Sequence, residues 1–182
     1  SAVTFDVRSV KCIRVVDAGT RRLPLQRKVG AGITTSEFQQ QLATGKFGHI
    51  GMRESVALLA KALDFKVDRI DQTVEPVIAP EDLKTPFLTV KEGQVAGIRN
   101  HGYGYVGKQT VLHLDLSMYV GAPDPRDEIL LESTPPIHLK FRGGIAGDQA
   151  TAAILVNNLH GVVAAQPGLR TVLDVAAPRL CR

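Results

Sequence analysis

The sequence predicts an α+β domain in which a mixed, largely antiparallel sheet carries helices on one face. About six strand candidates cluster along the chain instead of alternating regularly with the three helix candidates, and this order is typical of α+β architecture. The chain has 182 residues, of which 44% are hydrophobic and 22% charged, so it is long enough to bury a core. We therefore expect a single domain over residues 1–182.

Composition excludes several classes of function. The net charge is only +4 and aromatic residues make up 5%, which does not favour nucleic-acid binding but leaves anionic small ligands compatible. No apolar run approaches the ~20 residues of a membrane helix, and the N-terminus has no signal-peptide pattern. We expect Cys12 and Cys181 to be reduced thiols of a cytoplasmic protein, with a bridge between them as the alternative.

The first third of the chain begins with a strand. Branched apolar residues recur over Val7–Val16, which favours a strand. Asp17–Thr20 reads as a turn, so Arg21–Gln26 is predicted to return as a hairpin partner. The glycine-rich segment Lys28–Thr35 is predicted to be a loop, because it lacks the glycine order of a nucleotide-binding fingerprint.

Two helices are predicted next. Ser36 and Gln39 fit a capping box, and Gly45 is a suitable end for the helix that they begin. A second helix is predicted over Met52–Leu63, because its apolar residues recur at helical spacing.

The middle of the chain is predicted to form strands. Val67–Ala79 reads as a strand in which Pro76 requires an edge or a bulge. Gln94–Arg99 and Gln109–Val120 are predicted strands on either side of a hairpin tip at Asn100–Gly107. The second of these alternates strictly, so that one side is apolar and the other can meet solvent, a ligand or a second subunit. The polar side of that strand comprises Val111, His113, Asp115, Ser117 and Tyr119.

The last third contains two short strands, Glu128–Glu132 and Ile137–Phe141, and then a loop-to-helix junction at Arg142–Asn158. Glycines crowd the loop, and Asp148 is predicted to be the N-cap of the helix that follows. Such a helix start can face an anionic ligand, or it can simply be a capped helix that enters the core.

Local motifs alone name no reaction. The five histidines lack metal-ligand spacing, so we expect no metal site, and no GxSxG elbow or Cys–His pair marks a nucleophile. We therefore assign no catalytic residue. His49 is the best candidate for a functional side chain, because it lies between two glycines just before a helix and can project into a cleft.

Five segments, in order, resemble one family. They are VVDAGTRRLPLQRKVGAG, GHIGMRES, VEPVIAP, GGIAGDQATAAILVNN and QPGLRTVLDV. Together they resemble the C-terminal domain of dihydrodipicolinate-reductase-like proteins, and most closely the branch of 2,4-diaminopentanoate dehydrogenase and the native NAD(P)H-dependent amine dehydrogenases. The resemblance extends from about Val7 to Pro178. The histidine-rich and DAPSGT motifs of true dihydrodipicolinate reductases are missing, so a tetrahydrodipicolinate substrate is not favoured.

The resemblance implies that two domains have different roles. In that family an N-terminal Rossmann domain binds the nicotinamide cofactor, and the C-terminal domain lines the pocket for a small amine or ketone and builds a homo-oligomer through its sheet. We expect the Rossmann domain to be absent from these 182 residues. The chain would then be an oxidoreductase of C–N bonds only when joined to that domain, with weak or no affinity for NADP or NAD alone. The alternative is a stand-alone, non-enzymatic module that binds a ligand or a protein.

The resemblance also assigns site residues. On the substrate side it implies Val29, His49 and Met52. On the cofactor side it implies Gly147, Asp148 and Thr151.

Overall fold

The computed structural model describes residues 3–45, 47 and 50–178. They fall into two compact units, Ser1–Gly144 and Ile145–Arg182. The first unit confirms the predicted α+β class, with a mixed sheet and helices. The single domain over residues 1–182 stays a prediction. No helix in the described part of the chain is both long enough and apolar enough to span a membrane.

A six-stranded sheet forms the first unit. Its order is β2-β5-β6-β1-β7-β8, and among the described strands only the β1–β6 pair is parallel. A separate two-stranded hairpin consists of β3 and β4. The bounds of the strands are β1 Phe5–Asp17, β2 Arg69–Ile78, β3 Leu83–Lys84, β4 Thr89–Val90, β5 Val95–Val106, β6 Gln109–Tyr119, β7 Arg126–Thr134 and β8 Ile137–Arg142. Pro76 lies in the edge strand β2, as its missing N–H predicts.

Four α-helices accompany the strands, and a short 3₁₀ helix at Ala18–Thr20 follows β1. The predicted hairpin strand at Arg21–Gln26 is wrong, because both edges of β1 are already taken by β6 and β7. The chain turns into a helix there instead, with Pro24 in its first turn, where a missing N–H costs nothing. The helices are α1 Leu23–Lys28, α2 Thr35–Ala43, α3 Met52–Ala62 and α4 Gly147–Ala164.

The capping box of α2 lies two residues before the predicted one. Thr34, not Ser36, is the N-cap, and its side chain accepts from the backbone N–H of Glu37. The Glu37 carboxylate accepts in return from the Thr34 N–H at 2.7 Å. Both residue pairs fit the capping-box pattern, and the extended backbone at Thr34 decides between them. The predicted α3 is confirmed, ending one residue earlier than expected.

The β5–β6 hairpin is longer than predicted. Asn100–Gly107 is not a hairpin tip, because β5 continues to Val106 and turns at Gly107. The glycines of this segment serve packing instead. A Cβ at Gly102 would lie 2.8 Å from Cγ of Met52, so its absence allows α3 to approach the sheet closely.

The hydrophobic core lies on the face of the sheet that carries α1, α2 and α3. Around α2, Phe38 is fully buried among residues of β2, β5 and β6, and its ring meets that of Phe47 edge to face at 5.0 Å. Around α3, Val56 packs against Leu112. Helices on one face of the sheet are therefore confirmed, and the opposite face carries the polar side of β6. We call that opposite face the open face.

A buried glutamine fixes α1 in place. Gln26 is fully buried, and its amide nitrogen donates to the backbone carbonyl oxygens of Arg21 at 2.8 Å and Gly19 at 3.3 Å. Its amide oxygen accepts from the Thr85 hydroxyl at 3.0 Å. These bonds tie α1, and with it Val29 at the C-terminal cap of α1, to the β3–β4 hairpin.

We expect Gln26→Leu to lower the free energy of unfolding by ~2 kcal/mol, because leucine leaves the carbonyls of Gly19 and Arg21 without their bonds to the buried amide and breaks the link to Thr85. Urea denaturation of the purified chain measures this. Gln40→Leu on exposed α2 surface is the matched control, with a change within ~0.5 kcal/mol. Equal effects for the two variants would contradict a structural role for Gln26.

Candidate functional site

Two of the three predicted substrate-side residues, Val29 and Met52, lie in the core. Val29 is 2% exposed and Met52, the first residue of α3, is 3% exposed with its side chain over Gly102. Phe47 lies between Val29 and Met52 in the sequence, and its ring lies beside Gly30, the residue that follows Val29. His49 falls outside the described residues. Val29 and Met52 thus belong to the packed layer between the helices and the sheet.

The predicted cofactor-side residues all lie in the first turns of α4, in the second unit. Asp148 is not the N-cap, because Gly147 already has helical geometry and Ala146 precedes it with an extended backbone. Asp148 therefore occupies the second helical position, where a carboxylate favours the positive end of the helix dipole. The Thr151 hydroxyl donates to the Gly147 carbonyl at 2.8 Å.

The open face carries a concentration of polar and aromatic side chains. The predicted alternation of β6 is confirmed from Leu112 onward, with Leu112, Leu116 and Val120 buried on the helix side. Val111, predicted on the polar side, is instead buried in the core cluster that contains Leu112. In the register of the hairpin, His101 pairs with Asp115 and Tyr103 pairs with His113. All four side chains therefore lie on the same face of the two central strands.

Two histidines and one aspartate meet at the centre of the open face. Nδ1 of His101 lies 3.3 Å from Nε2 of His113 and 3.7 Å from Oδ1 of Asp115. The side chains of His101 and Asp115 are 17% and 21% exposed. Burial, and then the charge of Lys11, lower the pKa of His113 below its ordinary value, while Asp115 opposes that shift. His113 is therefore neutral at pH 7.

Aromatic rings fix this cluster from one side. The ring of Tyr103 stacks on that of His113, with centroids 4.6 Å apart and an interplanar angle of 19°. Burial raises the pKa of Tyr103 above its ordinary value, and Tyr105 adds to the shift. The guanidinium of Arg69 lies 4.1 Å from the centroid of the Tyr105 ring, which extends the row to the sheet edge.

Sequence reasoning missed this cluster because it searched for ligand spacing along the chain. His101 and Asp115 are 14 positions apart and become neighbours only through the hairpin register. The two-residue turn after Val106 is only a partial signal, because on its own it would pair His101 with Leu114. A one-residue register shift between Gly104 and Tyr105 places His101 opposite Asp115 instead.

A second group of charges lies on the open face around Glu128. This carboxylate accepts from Nε of Arg126 and lies 2.6 Å from Nε2 of His138. The hydrogen bonds from His138 and then Arg126 hold the pKa of Glu128 below its ordinary value of 4.5. The ionised form therefore stabilises the fold above about pH 4.5, and that contribution is lost as the pH falls through the lowered pKa.

We expect Glu128→Gln to destabilise the chain at pH 7 and to weaken the fall of stability between pH 5 and pH 3, because the titrating carboxylate is gone. Thermal unfolding midpoints recorded across that range measure both effects. Glu81→Gln, at an exposed position, is the control. An acid dependence that is identical in Glu128→Gln and in the unsubstituted chain would contradict the assignment.

Cys12 is a free, half-buried thiol on β1, and burial raises its pKa above the ordinary value. A thiol of this kind is a poor nucleophile at neutral pH. Cys181 lies outside the described residues.

Comparisons with known proteins agree along almost the whole chain. The family model described as 2,4-diaminopentanoate dehydrogenase C-terminal domain matches residues 1–181. The chain is 29% identical over 180 residues to 2,4-diaminopentanoate dehydrogenase of Acetoanaerobium sticklandii, covering 96% of this chain and 51% of that protein.

The fold also matches a solved structure. The amine dehydrogenase from Mycobacterium smegmatis superposes with a TM-score of 0.83 at 20% identity, over 99% of this chain and 54% of that one. At this identity the likeness shows the shared fold. The chain spans about half the length of each of these two proteins.

Proposed function

Because this chain belongs to the 2,4-diaminopentanoate dehydrogenase C-terminal domain family, we propose that it is the substrate-binding and oligomerisation part of an NAD(P)-dependent oxidoreductase. The reaction would act on a C–N bond of a small amine or ketone, with hydride chemistry supplied by the nicotinamide. The stand-alone module is not favoured, since the match to a dehydrogenase domain covers residues 1–181.

The observation that carries this proposal is the surface of α4. All residues of α4 are described, and none of them is buried, although the helix is rich in isoleucine, leucine and valine. Leu155 is 64% exposed and Val163 is 85% exposed. Helices that are apolar on most sides are normally covered by other protein. The two relatives are about twice as long as this chain. We propose that a cofactor-binding half, corresponding to the rest of their length, covers α4.

We propose that the start of α4 forms one wall of a nicotinamide site. The described strands form no doubly wound parallel sheet, so the dinucleotide fold is proposed to come from another part of the protein. The start of α4 suits an uncharged part of the cofactor better than its phosphates, because Asp148 places a negative charge there. Gly147, Asp148 and Thr151 are thus proposed to face the ribose and nicotinamide.

The substrate side is proposed to form where α3 begins. Val29 and Met52 are proposed to shape this pocket from within the packed layer, and His49 is proposed to be the side chain that reaches the amine or ketone. The absence of a Cβ at Gly102 keeps Met52 close against the sheet. Together they would define an apolar pocket for a small substrate.

The open face is proposed as the surface of a homo-oligomer. In the described part of the chain, the core clusters around the helices lie on the opposite face of the sheet. The open face presents aromatic and charged side chains in rows, which suits an interface between two copies. We propose a cytoplasmic location, where the Cys12 thiol stays reduced.

Calorimetry and sedimentation of the 182-residue chain test the two roles separately. We expect weak or no binding of NADPH and NADH, since the described strands form no dinucleotide-binding fold, and a dimer or tetramer at micromolar concentration. Tight cofactor binding would contradict the need for a second half. A strict monomer would contradict oligomerisation through this sheet.

A further inference from the structure

We propose that His101, His113 and Asp115 on the open face form a binding site for a divalent transition-metal ion of the Zn²⁺ type. The inference goes beyond the proposed function, because neither the hydride chemistry nor the substrate pocket requires a metal. It starts from the register of the β5–β6 hairpin. His113 and Asp115 are two positions apart on one strand, and His101 lies directly opposite Asp115 on the next.

The spacing of the donor atoms fits an ion. Zinc binds histidine nitrogen and carboxylate oxygen at about 2.0–2.2 Å, which places the ligand atoms of a tetrahedral site roughly 3.4 Å apart. Nδ1 of His101 lies 3.3 Å from Nε2 of His113 and 3.7 Å from Oδ1 of Asp115. All three donor atoms lie within 4.8 Å of one another. Three donor atoms grouped this closely can share one ion.

The donor set selects the class of ion. Two imidazoles and one carboxylate are borderline ligands that suit zinc and its neighbours better than calcium or magnesium, which take oxygen ligands. The carboxylate of Asp115 offsets part of the ion's charge. Three protein ligands leave at least one coordination position for water or another small ligand.

The sheet fixes the positions of the three ligand residues even without a bound ion. Both strands are central in the sheet, and their backbones are hydrogen-bonded on both sides. The Tyr103 ring stacks on His113, while the Ser117 hydroxyl lies 3.5 Å from Oδ1 of Asp115. Ligands placed on rigid strands and supported by neighbours lose little freedom on binding.

Titration of the purified, chelator-treated 182-residue chain with ZnCl₂ tests the proposal. Calorimetry should show one Zn²⁺ per chain, and His113→Gln and Asp115→Asn should each weaken binding by about 100-fold or more, because each removes a ligand. His138→Gln is the matched control, since it removes a histidine of the same face that contacts Glu128 instead. Its affinity should equal that of the unsubstituted chain.

A measurement on the unsubstituted chain covers the case in which a variant fails to fold. In NMR spectra of the imidazole rings, Zn²⁺ should shift the resonances of His101 and His113 and leave those of His138 unchanged. Absence of saturable Zn²⁺ binding would overturn the proposal. So would binding that survives both ligand substitutions or that shifts only His138. The cofactor assays do not involve this cluster, so failure here leaves the proposed function separately testable.

Discussion

Gly97→Ala is expected to lower the free energy of unfolding by more than ~3 kcal/mol. Gly97 lies in β5, between Val77 of β2 and Tyr119 of β6. A Cβ at this position would be 2.2 Å from the carbonyl oxygen of Met118 and 2.5 Å from Cα of Tyr119. Both atoms belong to the backbone of the neighbouring strand, so no side-chain rotation relieves the contact, and the central pairing of the sheet must shift.

Guanidinium denaturation of the purified chain measures this loss. Gly93→Ala is the matched control, because Gly93 has a φ of +80° but nothing within 4 Å of its missing Cβ. Left-handed backbone strain alone should cost that variant ~1 kcal/mol. If the two variants unfold at the same denaturant concentration, close approach of β6 is not what requires glycine at position 97.

Replacing Leu155, Leu159 and Val163 together by serine is expected to abolish docking of the cofactor-binding half onto α4. These positions are spaced by four, so they form one stripe along the helix, and each is more than half exposed in this chain. Burying such a side chain contributes ~1.5–3 kcal/mol, so the triple change should weaken association of the two separately produced halves by at least about 1000-fold.

A polar control separates docking from helix damage. Gln149→Ser combined with His160→Ser changes two exposed positions of the same helix and should leave association within a few-fold. Surface plasmon resonance between the two halves gives both dissociation constants. Equal affinities for the apolar and polar variants would mean that α4 is not the covered surface.

Much of the fold follows from local patterns. The strict alternation of Gln109–Val120 and the apolar spacing after Met52 predict β6 and α3, because burial on one side imposes those periods. Arg21–Gln26 was mispredicted because its sequence fits a hairpin partner, whereas the strands that occupy both edges of β1 come from much later in the chain. Long-range pairing, which has no local signature, decided that segment.

Long-range packing also decides the role of the glycines in β5. Gly102 and Gly104 read as turn residues in a sequence, but here they make room for Met52 and Val56 of a helix that lies over the strand. Moving the turn from Asn100–Gly107 to Gly107 lengthens β5, and a one-residue register shift between Gly104 and Tyr105 then joins His101 to Asp115. The histidine cluster therefore could not be found before the hairpin was placed.

For the site residues implied by the resemblance, the sequence motif and the three-dimensional structure supply different information. A motif can indicate that Met52 lies near a substrate, but it cannot show that the side chain packs into the layer under α3. Aspartate is common at helix N-caps, which predicts Asp148 at that position, whereas the N-cap of α4 is Ala146, two residues earlier. Backbone geometry identifies the N-cap of a helix, whereas residue type alone does not.

On the proposed function, this chain supports C–N oxidoreduction only when it is joined to a cofactor-binding half. The most direct measurement is the consumption of NADPH or NADH with ammonia and a panel of small ketones, by the longer protein that contains this chain and by the 182-residue chain alone. Turnover of at least one ketone by the longer protein, and none by the chain, is the predicted result. No turnover by the longer protein with either cofactor, or turnover by the chain alone, would contradict it.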